Sequence, residues 1–127
     1  MSLPRNQIIK WLRTIDITDK IVLDVGCGPE KKWARNWTQG EPERYDTLDV
    51  NDEYQPTYCM DLNTMDVKSG GLFDVIFCIE TFEHLWNPVH AAEMLARLLR
   101  GGGELFLTVP FLNPIHDRWD MLRYTAE

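Results

Sequence analysis

The feature that most constrains the fold of this chain is a short apolar run that stops at a glycine-rich turn. Residues 21–25 read Ile-Val-Leu-Asp-Val, and Gly26-Cys27-Gly28-Pro29 follows directly. β-Branched residues in a short, nearly continuous apolar run are typical of a buried strand, and a glycine marks its end. Glycine also permits a tight turn and lets a ligand approach the backbone closely. We therefore predict a buried strand whose end carries a binding loop.

Strand patterns alternate with helical patterns along the rest of the chain. Further strands are predicted over residues 44–50, 57–62, 73–79 and 105–109. Helices are predicted over residues 6–15 and 30–38, and from Asn87-Pro88 to a stop at Gly101-Gly102-Gly103. Such alternation predicts βα units around a parallel sheet. We therefore expect an α/β three-layer sandwich, with helices on both faces of a mostly parallel sheet of about five strands.

The residues with functional chemistry fall at the ends of these predicted strands. Ligands of open α/β sheets bind beyond the carboxyl ends of the strands, near the point where the strand order reverses. A dinucleotide fingerprint requires a small residue three positions after its second glycine, so that a helix packs beneath the pyrophosphate. Lys31, a long cation, occupies that position. A nicotinamide or flavin dinucleotide, and hence a dehydrogenase, is therefore disfavoured.

The glycine turn is similar to a known cofactor loop. Residues 23–29, Leu-Asp-Val-Gly-Cys-Gly-Pro, resemble the first motif of class I S-adenosylmethionine-dependent methyltransferases, in which alternating glycines follow an acidic residue. Glu30 stands where the family often has a third glycine. The resemblance implies a Rossmann-like fold, S-adenosyl-L-methionine as the cofactor and methyl transfer as the activity. It assigns to the cofactor site Asp24, Gly26, Cys27 and Gly28.

An acidic residue at the end of the second predicted strand is a candidate ribose ligand. A ribose presents two neighbouring hydroxyls, and one carboxylate can accept a hydrogen bond from both. Asp46 and Asp52 compete with Asp49 for this role. The resemblance favours Asp49, which follows an apolar run, and it places Val50 beside the cofactor.

The third predicted strand carries another acidic residue. Its segment, Tyr-Cys-Met-Asp-Leu over residues 58–62, resembles the family segment whose aspartate accepts a hydrogen bond from the adenine amino group. The resemblance gives that role to Asp61. Leu62 would then supply an N–H or an apolar wall for the adenine ring. The alternative for Asp61 is a solvated turn.

The fourth strand provides the second clear similarity. Residues 73–85 resemble the family signature in which a strand runs into the active-site loop. The resemblance implies that the backbone around Cys78 and Ile79 faces the methionine end of the cofactor, whose ammonium needs carbonyl acceptors. His84 is the candidate general base, because the ordinary pKa of histidine lies near neutrality. Alternatively, Glu83 and His84 hold a short helix in place.

The last part of the chain, residues 109–127, resembles a segment that follows strand five in one methyltransferase subgroup and runs over the acceptor side. Thr125 is predicted to cap the next helix. His116, the second candidate catalytic residue, and Arg123 are candidate contacts to the methyl acceptor. The alternative for both is a surface loop.

The resemblance covers nearly the whole chain but only about the first two-thirds of the family domain. We expect residues 1–127 to form a single, C-terminally incomplete S-adenosylmethionine-binding domain, truncated before the last strands. The strand at residues 105–109 would then be a free edge, which proteins usually cover. A homodimer through this edge, or cover by the following residues, is the corresponding expectation.

The composition of the chain limits the classes of partner and ligand that we expect it to bind. The net charge of −7 disfavours a broad nucleic-acid-binding face. The sequence shows neither a membrane-spanning apolar run nor a signal peptide. Its 3 cysteines lack CxxC spacing, which favours reduced thiols, a cytoplasmic location and no metal site.

The leading hypothesis is methyl transfer to a small-molecule acceptor. The alternative is a non-catalytic S-adenosylmethionine-binding module or an inactive fragment, because the usual acceptor-side elements are missing from the sequence. Fold alone does not decide between the two.

Overall fold

The computed structural model describes residues 3–30 and 32–110. Its two helices and five strands are α1 (Leu3–Leu12), β1 (Ile21–Val25), β2 (Arg44–Asp49), β3 (Tyr58–Cys59), β4 (Phe73–Ile79), α2 (Pro88–Leu98) and β5 (Leu99–Thr108). Single 3₁₀ turns occur at Ala34–Asn36, Asp52–Tyr54 and Phe82–His84. Within these residues, no helix is long and apolar enough to cross a membrane.

The strands form one parallel sheet in the order β3-β2-β1-β4-β5. The chain moves outward from β1 through β2 to β3, then crosses to β4 and continues to β5. The strand order therefore reverses between β1 and β4, where the chain leaves the two strands in opposite directions along the sheet. This α/β arrangement confirms the predicted fold class and creates a crevice at the carboxyl ends of the strands.

Each face of the sheet carries its own hydrophobic cluster, which explains why β1 is buried on both sides. Alternate residues of a strand point to opposite faces. Val22 packs with α1 and the 3₁₀ turn at Ala34–Asn36, whereas Leu23 and Val25 pack with α2 on the other face. The continuous apolar pattern of β1 is thus the signature of a central parallel strand.

The helix predicted over residues 30–38 was wrong, because the structure has only the 3₁₀ turn Ala34–Asn36 there. The segment that follows pairs with the start of the chain: the Gln39 N–H donates to the Ile15 carbonyl and the Ile17 N–H donates to the Gln39 carbonyl, both at 2.9 Å. These two hydrogen bonds hold Gln39 beside Ile15 and Ile17. The segment before Gln39 therefore has room for only one helical turn. Trp33 and Trp37 still share a face, with ring centroids 6.4 Å apart.

The prediction that Gly101-Gly102-Gly103 ends the second helix was also wrong. α2 ends at Leu98 and passes directly into β5, which includes all three glycines. The pairing of β4 with β5 shifts register between Phe73 and Val75, as in a β-bulge. Gly102 has a φ of +80°, a conformation that suits such an irregularity. The glycines therefore bend a strand instead of stopping a helix.

Candidate functional site

The structure contains a cleft of about 720 Å³ at the carboxyl ends of β1, β2 and β4, within the usual size range of small-molecule sites. It lies where the strand order reverses, as general rules for such sheets require. The residues that line it are Gly26, Leu48, Asp49, Val50, Asn51, Tyr54, Met60, Asp61, Leu62, Asn63, Glu80, Thr81, His84, Leu85 and Trp86. Six of them, Gly26, Asp49, Val50, Asp61, Leu62 and His84, were predicted from the sequence.

The glycine turn after β1 contributes Gly26 to the cleft lining. Gly26 and Gly28 have φ angles of +71° and +65°, which side-chain-bearing residues rarely adopt. A Cβ atom on Gly26 would collide with the Thr81 hydroxyl, so the loop after β4 packs directly onto this glycine. A Cβ atom on Gly28 would meet none of the described residues within 4 Å. The open space beside Gly28 allows a ligand to approach its backbone.

Asp49 joins the loops that follow β1 and β2. Its Oδ2 accepts a hydrogen bond from the Gly28 N–H at 3.0 Å, and its Oδ1 accepts one from the Asn51 N–H at 2.9 Å. The side chain is fixed and only 9% of the residue is exposed. Each carboxylate oxygen can accept a further hydrogen bond. Asp49 can therefore receive two neighbouring hydroxyls at the cleft.

Asp61 presents a second carboxylate to the cleft. Its Oδ1 accepts hydrogen bonds from the backbone N–H and the side-chain amide of Asn63, at 2.9 and 3.0 Å. No donor among the described residues reaches its Oδ2. Leu62, which is 5% exposed, adds an apolar wall. The pair offers a hydrogen-bond acceptor beside an apolar surface.

Two residues assigned to the cofactor by resemblance lie beneath the loop, with side chains outside the cleft lining. Asp24 is 5% exposed and its Oδ2 accepts a hydrogen bond from the Tyr45 hydroxyl at 2.8 Å. Burial raises the pKa of Asp24 to about 7. Burial, reinforced by the negative charge of Asp49, raises the pKa of Cys27 to about 11, so this thiol stays protonated. Both side chains are placed to support the loop.

The sequence predicted Cys78 and Ile79 as cofactor contacts at the end of β4. The residues of this segment that line the cleft are the next two, Glu80 and Thr81. Cys78 is fully buried, and burial raises the pKa of its thiol. Ile79 is half-buried and packs towards the α1 face. Glu80 has a φ of +52°, and its N–H donates to the carbonyl and hydroxyl oxygens of Thr108, at 3.1 and 3.0 Å.

His84 reaches the cleft from the 3₁₀ turn Phe82–His84. About a third of its side chain is exposed (33%), and its Nε2 lies 3.8 Å from Oε1 of Glu83. Glu83 is 1% exposed, which fixes the carboxylate beside the ring. The His84 N–H also closes the turn on the Thr81 carbonyl at 3.0 Å. A positioned imidazole and a structural histidine both fit this geometry.

Sequence patterns missed Asn63 and Trp86. Asn63 Oδ1 accepts hydrogen bonds from the N–H groups of Trp86 and Asn87, at 2.9 and 3.0 Å. These contacts are made between distant segments, so no local pattern marks them. Trp86 is 60% exposed. An aromatic residue directly after the 73–85 motif could have been noticed.

Some predictions concern residues beyond the part of the chain that the structure describes, and they stay predictions. Lys31, His116, Arg123 and Thr125 lie outside the described residues. Across residues 3–30 and 32–110, no group of three or more His, Cys, Asp or Glu side chains is placed to hold a metal ion.

Solved structures share this fold. The Haloferax volcanii complex of the Trm112 methyltransferase activator with a methyltransferase matches with a TM-score of 0.66 and 20% identity, over 80% of this chain and 51% of that one. An S-adenosylmethionine-dependent methyltransferase from Mesorhizobium loti matches with a TM-score of 0.61 and 14% identity, over 78% and 50%. These similarities place the chain in the class of Rossmann-like methyltransferase folds.

The chain belongs to the family described as "Methyltransferase domain", whose pattern matches residues 5–127. The ubiquinone biosynthesis O-methyltransferase of Dechloromonas aromatica is 28% identical over 119 residues, covering 84% of this chain and 51% of the relative. The enzyme of the same name from Xanthomonas oryzae is 30% identical over 106 residues, covering 74% and 44%. The chain thus spans about half the length of these relatives.

Proposed function

We propose that the chain binds S-adenosylmethionine and takes part in methyl transfer to a small-molecule acceptor. The observation that carries the proposal is the Asp49 carboxylate, held by the Gly28 and Asn51 N–H groups at the floor of a cleft of about 720 Å³. When bound, S-adenosylmethionine supplies a methyl group activated by a sulfonium sulfur.

The described residues fit this cofactor. Asp49 would accept hydrogen bonds from the ribose hydroxyls, and Oδ2 of Asp61, which no described donor reaches, would accept one from the adenine amino group. Val50 and Leu62 would contact the base. The open backbone at Gly28 gives close approach without a side chain in the way.

The charge of the cleft supports the same choice. Asp49, Asp61 and Glu80 line it, and the lining residues that the structure describes include no lysine or arginine. Such a lining suits a cofactor that carries a sulfonium and an ammonium. It disfavours ligands with several phosphates, which basic side chains normally recognise. This argument against dinucleotides does not depend on Lys31, which disfavours them on sequence grounds alone.

The contribution of the chain to the reaction would be alignment and proton removal. Rigid placement of donor and acceptor is a large part of catalysis in two-substrate reactions. Since the relatives are named O-methyltransferases, we infer a hydroxyl acceptor, whose proton must leave as the oxygen is methylated. His84, at the cleft and beside the Glu83 carboxylate, is the described residue best placed to take it.

The rim of the cleft suggests what this acceptor looks like. Besides Val50, which we assign to the base, Met60 and Trp86 are 46% and 60% exposed, and both line the cleft. Exposed apolar groups clustered at a cleft are typical of a site that binds apolar ligands. We infer an acceptor with an apolar or aromatic body.

The second candidate function is a non-catalytic S-adenosylmethionine-binding module. The residues proposed to bind the cofactor all lie within the described part of the chain. Of the two histidines predicted to act as a base, only His84 lies there, so the case for binding is stronger than the case for catalysis. A module would bind the cofactor and leave phenolic acceptors unchanged.

Partners and location are proposals too. β5 forms one edge of the described sheet, and we propose that a second copy of the chain or the residues after β5 cover it. The mass in solution tests the dimer: a monomer whose amides at residues 105–108 exchange rapidly would contradict both forms. The three free thiols support a cytoplasmic location.

Methyl-labelled S-adenosylmethionine and a panel of small phenols test the enzyme. We expect labelled phenol ether to form with the wild type and not with His84→Ala, while both proteins bind S-adenosylhomocysteine equally. Binding without any labelled product would favour the non-catalytic module. An absence of binding would contradict both functions.

A further inference from the structure

We propose that the surface formed by α1 and the 3₁₀ turn Ala34–Asn36 binds the phosphate backbone of a single-stranded nucleic acid. This surface, the basic face, consists of Arg5, Lys10, Arg13, Lys32, Trp33, Arg35 and Trp37. None of these residues lines the cleft, so the inference goes beyond the proposed function and does not depend on it.

Charge is distributed unevenly along the chain. Residues 1–38 contain 7 of the 13 lysines and arginines and only 4 of the 20 acidic residues, a net charge of +3, whereas residues 39–127 carry −10. One of those 4 acids, Asp24, is buried. Such an asymmetry within a chain indicates an anionic partner at the basic end. The overall charge of −7 disfavours a broad nucleic-acid-binding face, but it is compatible with a local one.

Two arginines of the basic face are stacked on tryptophans. The Arg5 guanidinium lies 4.8 Å from the ring centroid of Trp33, and that of Arg13 lies 5.3 Å from a ring centroid of Trp37. The two indoles pack edge to face, with centroids 6.4 Å apart, so the four side chains form one continuous row. Arg5 also faces the exposed Glu30 across 3.9 Å. A guanidinium that lies on an aromatic ring keeps its N–H groups in a planar fork that fits phosphate.

Most cations of the basic face have no acidic neighbour that neutralises them. Lys10, Arg13 and Lys32 are exposed, and none of them forms an ion pair with another described residue. Arg35 is paired with Glu41 at 2.6 Å. The positive charge is therefore available to a partner along most of the face.

The apolar side chains of this region are already used by the fold. Ile9 and Leu12 of α1 are buried, and Trp11 packs on the same cluster. The exposed large apolar residues of the described chain all lie beyond residue 49. A protein interface normally has an apolar or aromatic centre, and a membrane-surface helix inserts an apolar face. A nucleic-acid backbone requires only cations, so it is the partner that this surface fits.

The size of the basic face favours a single strand. Arg5 and Arg13 are eight positions apart, which corresponds to about 12 Å along a helix. A strand with a rise of about 3.4 Å per nucleotide places three or four phosphates along this length. A flexible single strand can follow so narrow a face, whereas a duplex would bring further phosphates against the acidic remainder of the chain. Contacts to phosphates carry no base specificity.

Fluorescence anisotropy of a labelled oligo(U) of about 20 nucleotides tests the proposal in a salt titration. We expect binding at about 50 mM salt, and a slope of log K against log [salt] of about −3 from the five cations. Oligo(A) should bind equally well. The triple variant Lys10→Gln, Arg13→Gln, Lys32→Gln should bind at least about tenfold more weakly, with a slope reduced by about 2.

The matched control replaces three exposed cations beyond residue 38, in the triple variant Lys68→Gln, Arg97→Gln, Arg100→Gln. It changes the net charge equally and should bind oligo(U) nearly as the wild type does. Equal losses in the two triple variants would show that only overall charge matters, which would overturn the proposal. Thermal unfolding checks that each variant is folded. The double variant Lys10→Gln, Lys32→Gln, which keeps the stacked Arg13, should show a smaller loss in the same direction.

Competition separates a nucleic acid from other anionic partners. Oligoglutamate of the same length, or vesicles that contain phosphatidylglycerol, should displace labelled oligo(U) less effectively than unlabelled oligo(U) does. Better displacement by either competitor would identify an acidic protein or a membrane as the partner and would overturn the proposal. So would an absence of oligo(U) binding by the wild type at about 50 mM salt. S-adenosylhomocysteine titration of the same proteins tests the cleft separately, and both triple variants should bind it as the wild type does.

Discussion

The Gly28 N–H donates a hydrogen bond to Oδ2 of Asp49 across 3.0 Å, joining the loops that follow two neighbouring parallel strands. The bond connects the two sequence motifs that most strongly indicated a cofactor site. Gly28 contributes its backbone and an open approach, and Asp49 contributes a fixed charge. A disturbance at either residue should therefore reach the other.

Asp49→Asn should lower both stability and cofactor affinity. Both oxygens of Asp49 face backbone N–H groups, so an amide must turn its NH₂ towards one of these donors. An unsatisfied polar group of this kind costs about 1–3 kcal/mol. S-adenosylhomocysteine binding should weaken by about 10- to 100-fold, as calorimetry would measure. Asp52→Ala is the matched control, because Asp52 is exposed and outside the cleft lining.

Gly26→Ala and Gly28→Ala should have different effects. Both force alanine into a left-handed conformation, at about 1–2 kcal/mol. Only Gly26→Ala also collides with the Thr81 side chain, so it should lower the melting temperature more. Gly28→Ala should lose only this conformational cost in stability yet bind S-adenosylhomocysteine poorly, since its new methyl projects into space that no described residue fills. Thr81→Ala should partly restore Gly26→Ala; equal melting temperatures for the two glycine variants would contradict this packing.

The buried Asp24 should make the fold less stable as pH rises from about 4 to 7. Burial raises its pKa from 3.8 to about 7, so in this interval the folded chain holds a proton that the unfolded chain has released. The unfolded state binds fewer protons, and the free energy of unfolding therefore falls with increasing pH, on the order of 2–4 kcal/mol. Asp74, whose pKa is lowered by the Ile21 N–H, titrates below this interval.

Urea denaturation at several pH values between 4 and 8 measures this dependence. Asp24→Asn, which cannot ionise, should remove most of the decline. Tyr45→Phe removes the hydrogen bond that lowers the pKa of Asp24, so it should extend the decline to higher pH. A stability that rises through this interval in the wild type, and is unchanged in Asp24→Asn, would contradict the assignment.

His84→Ala should reduce methyl transfer without changing cofactor affinity. General-base catalysis by a positioned side chain contributes about 10²- to 10⁴-fold to a rate. His90→Gln is the control histidine, because His90 lies outside the cleft lining and its Nε2 contacts the Met65 carbonyl at 2.7 Å. Single-turnover rates separate the two variants. Equal rates for both would leave His84 with only a structural role.

Much of the sheet could be predicted because its pattern is local. β1 and β4 have the predicted bounds, since a central parallel strand is apolar on both faces and needs no partner to be recognised. The prediction of a helix over residues 30–38 failed because the length of that segment is set by the pairing of Gln39 with Ile15 and Ile17, which are distant in sequence. The interpretation of Gly101-Gly102-Gly103 as a helix end failed because helix ends and strand bulges both use glycine for its backbone freedom.

The predictions of the site also succeeded where the signal is local and failed where it is tertiary. Asp49 ends β2 and Asp61 comes shortly after β3, so their placement at the cleft comes from the rule that parallel strands end at one edge. Thr81 and Asn63 were missed because their roles are tertiary: one packs on Gly26, and the other anchors Trp86. The motif at Asp24 marked the right loop, yet the carboxylate lies beneath it because alternate residues of β1 point to opposite faces.

Calorimetric titration with S-adenosylhomocysteine, with NAD as the control ligand, tests the central claim most directly. We predict micromolar binding of S-adenosylhomocysteine at one site per chain, its loss in Asp49→Ala, and no heat from NAD. Binding of NAD, or S-adenosylhomocysteine binding that Asp49→Ala leaves unchanged, would contradict the account of this cleft as an S-adenosylmethionine site.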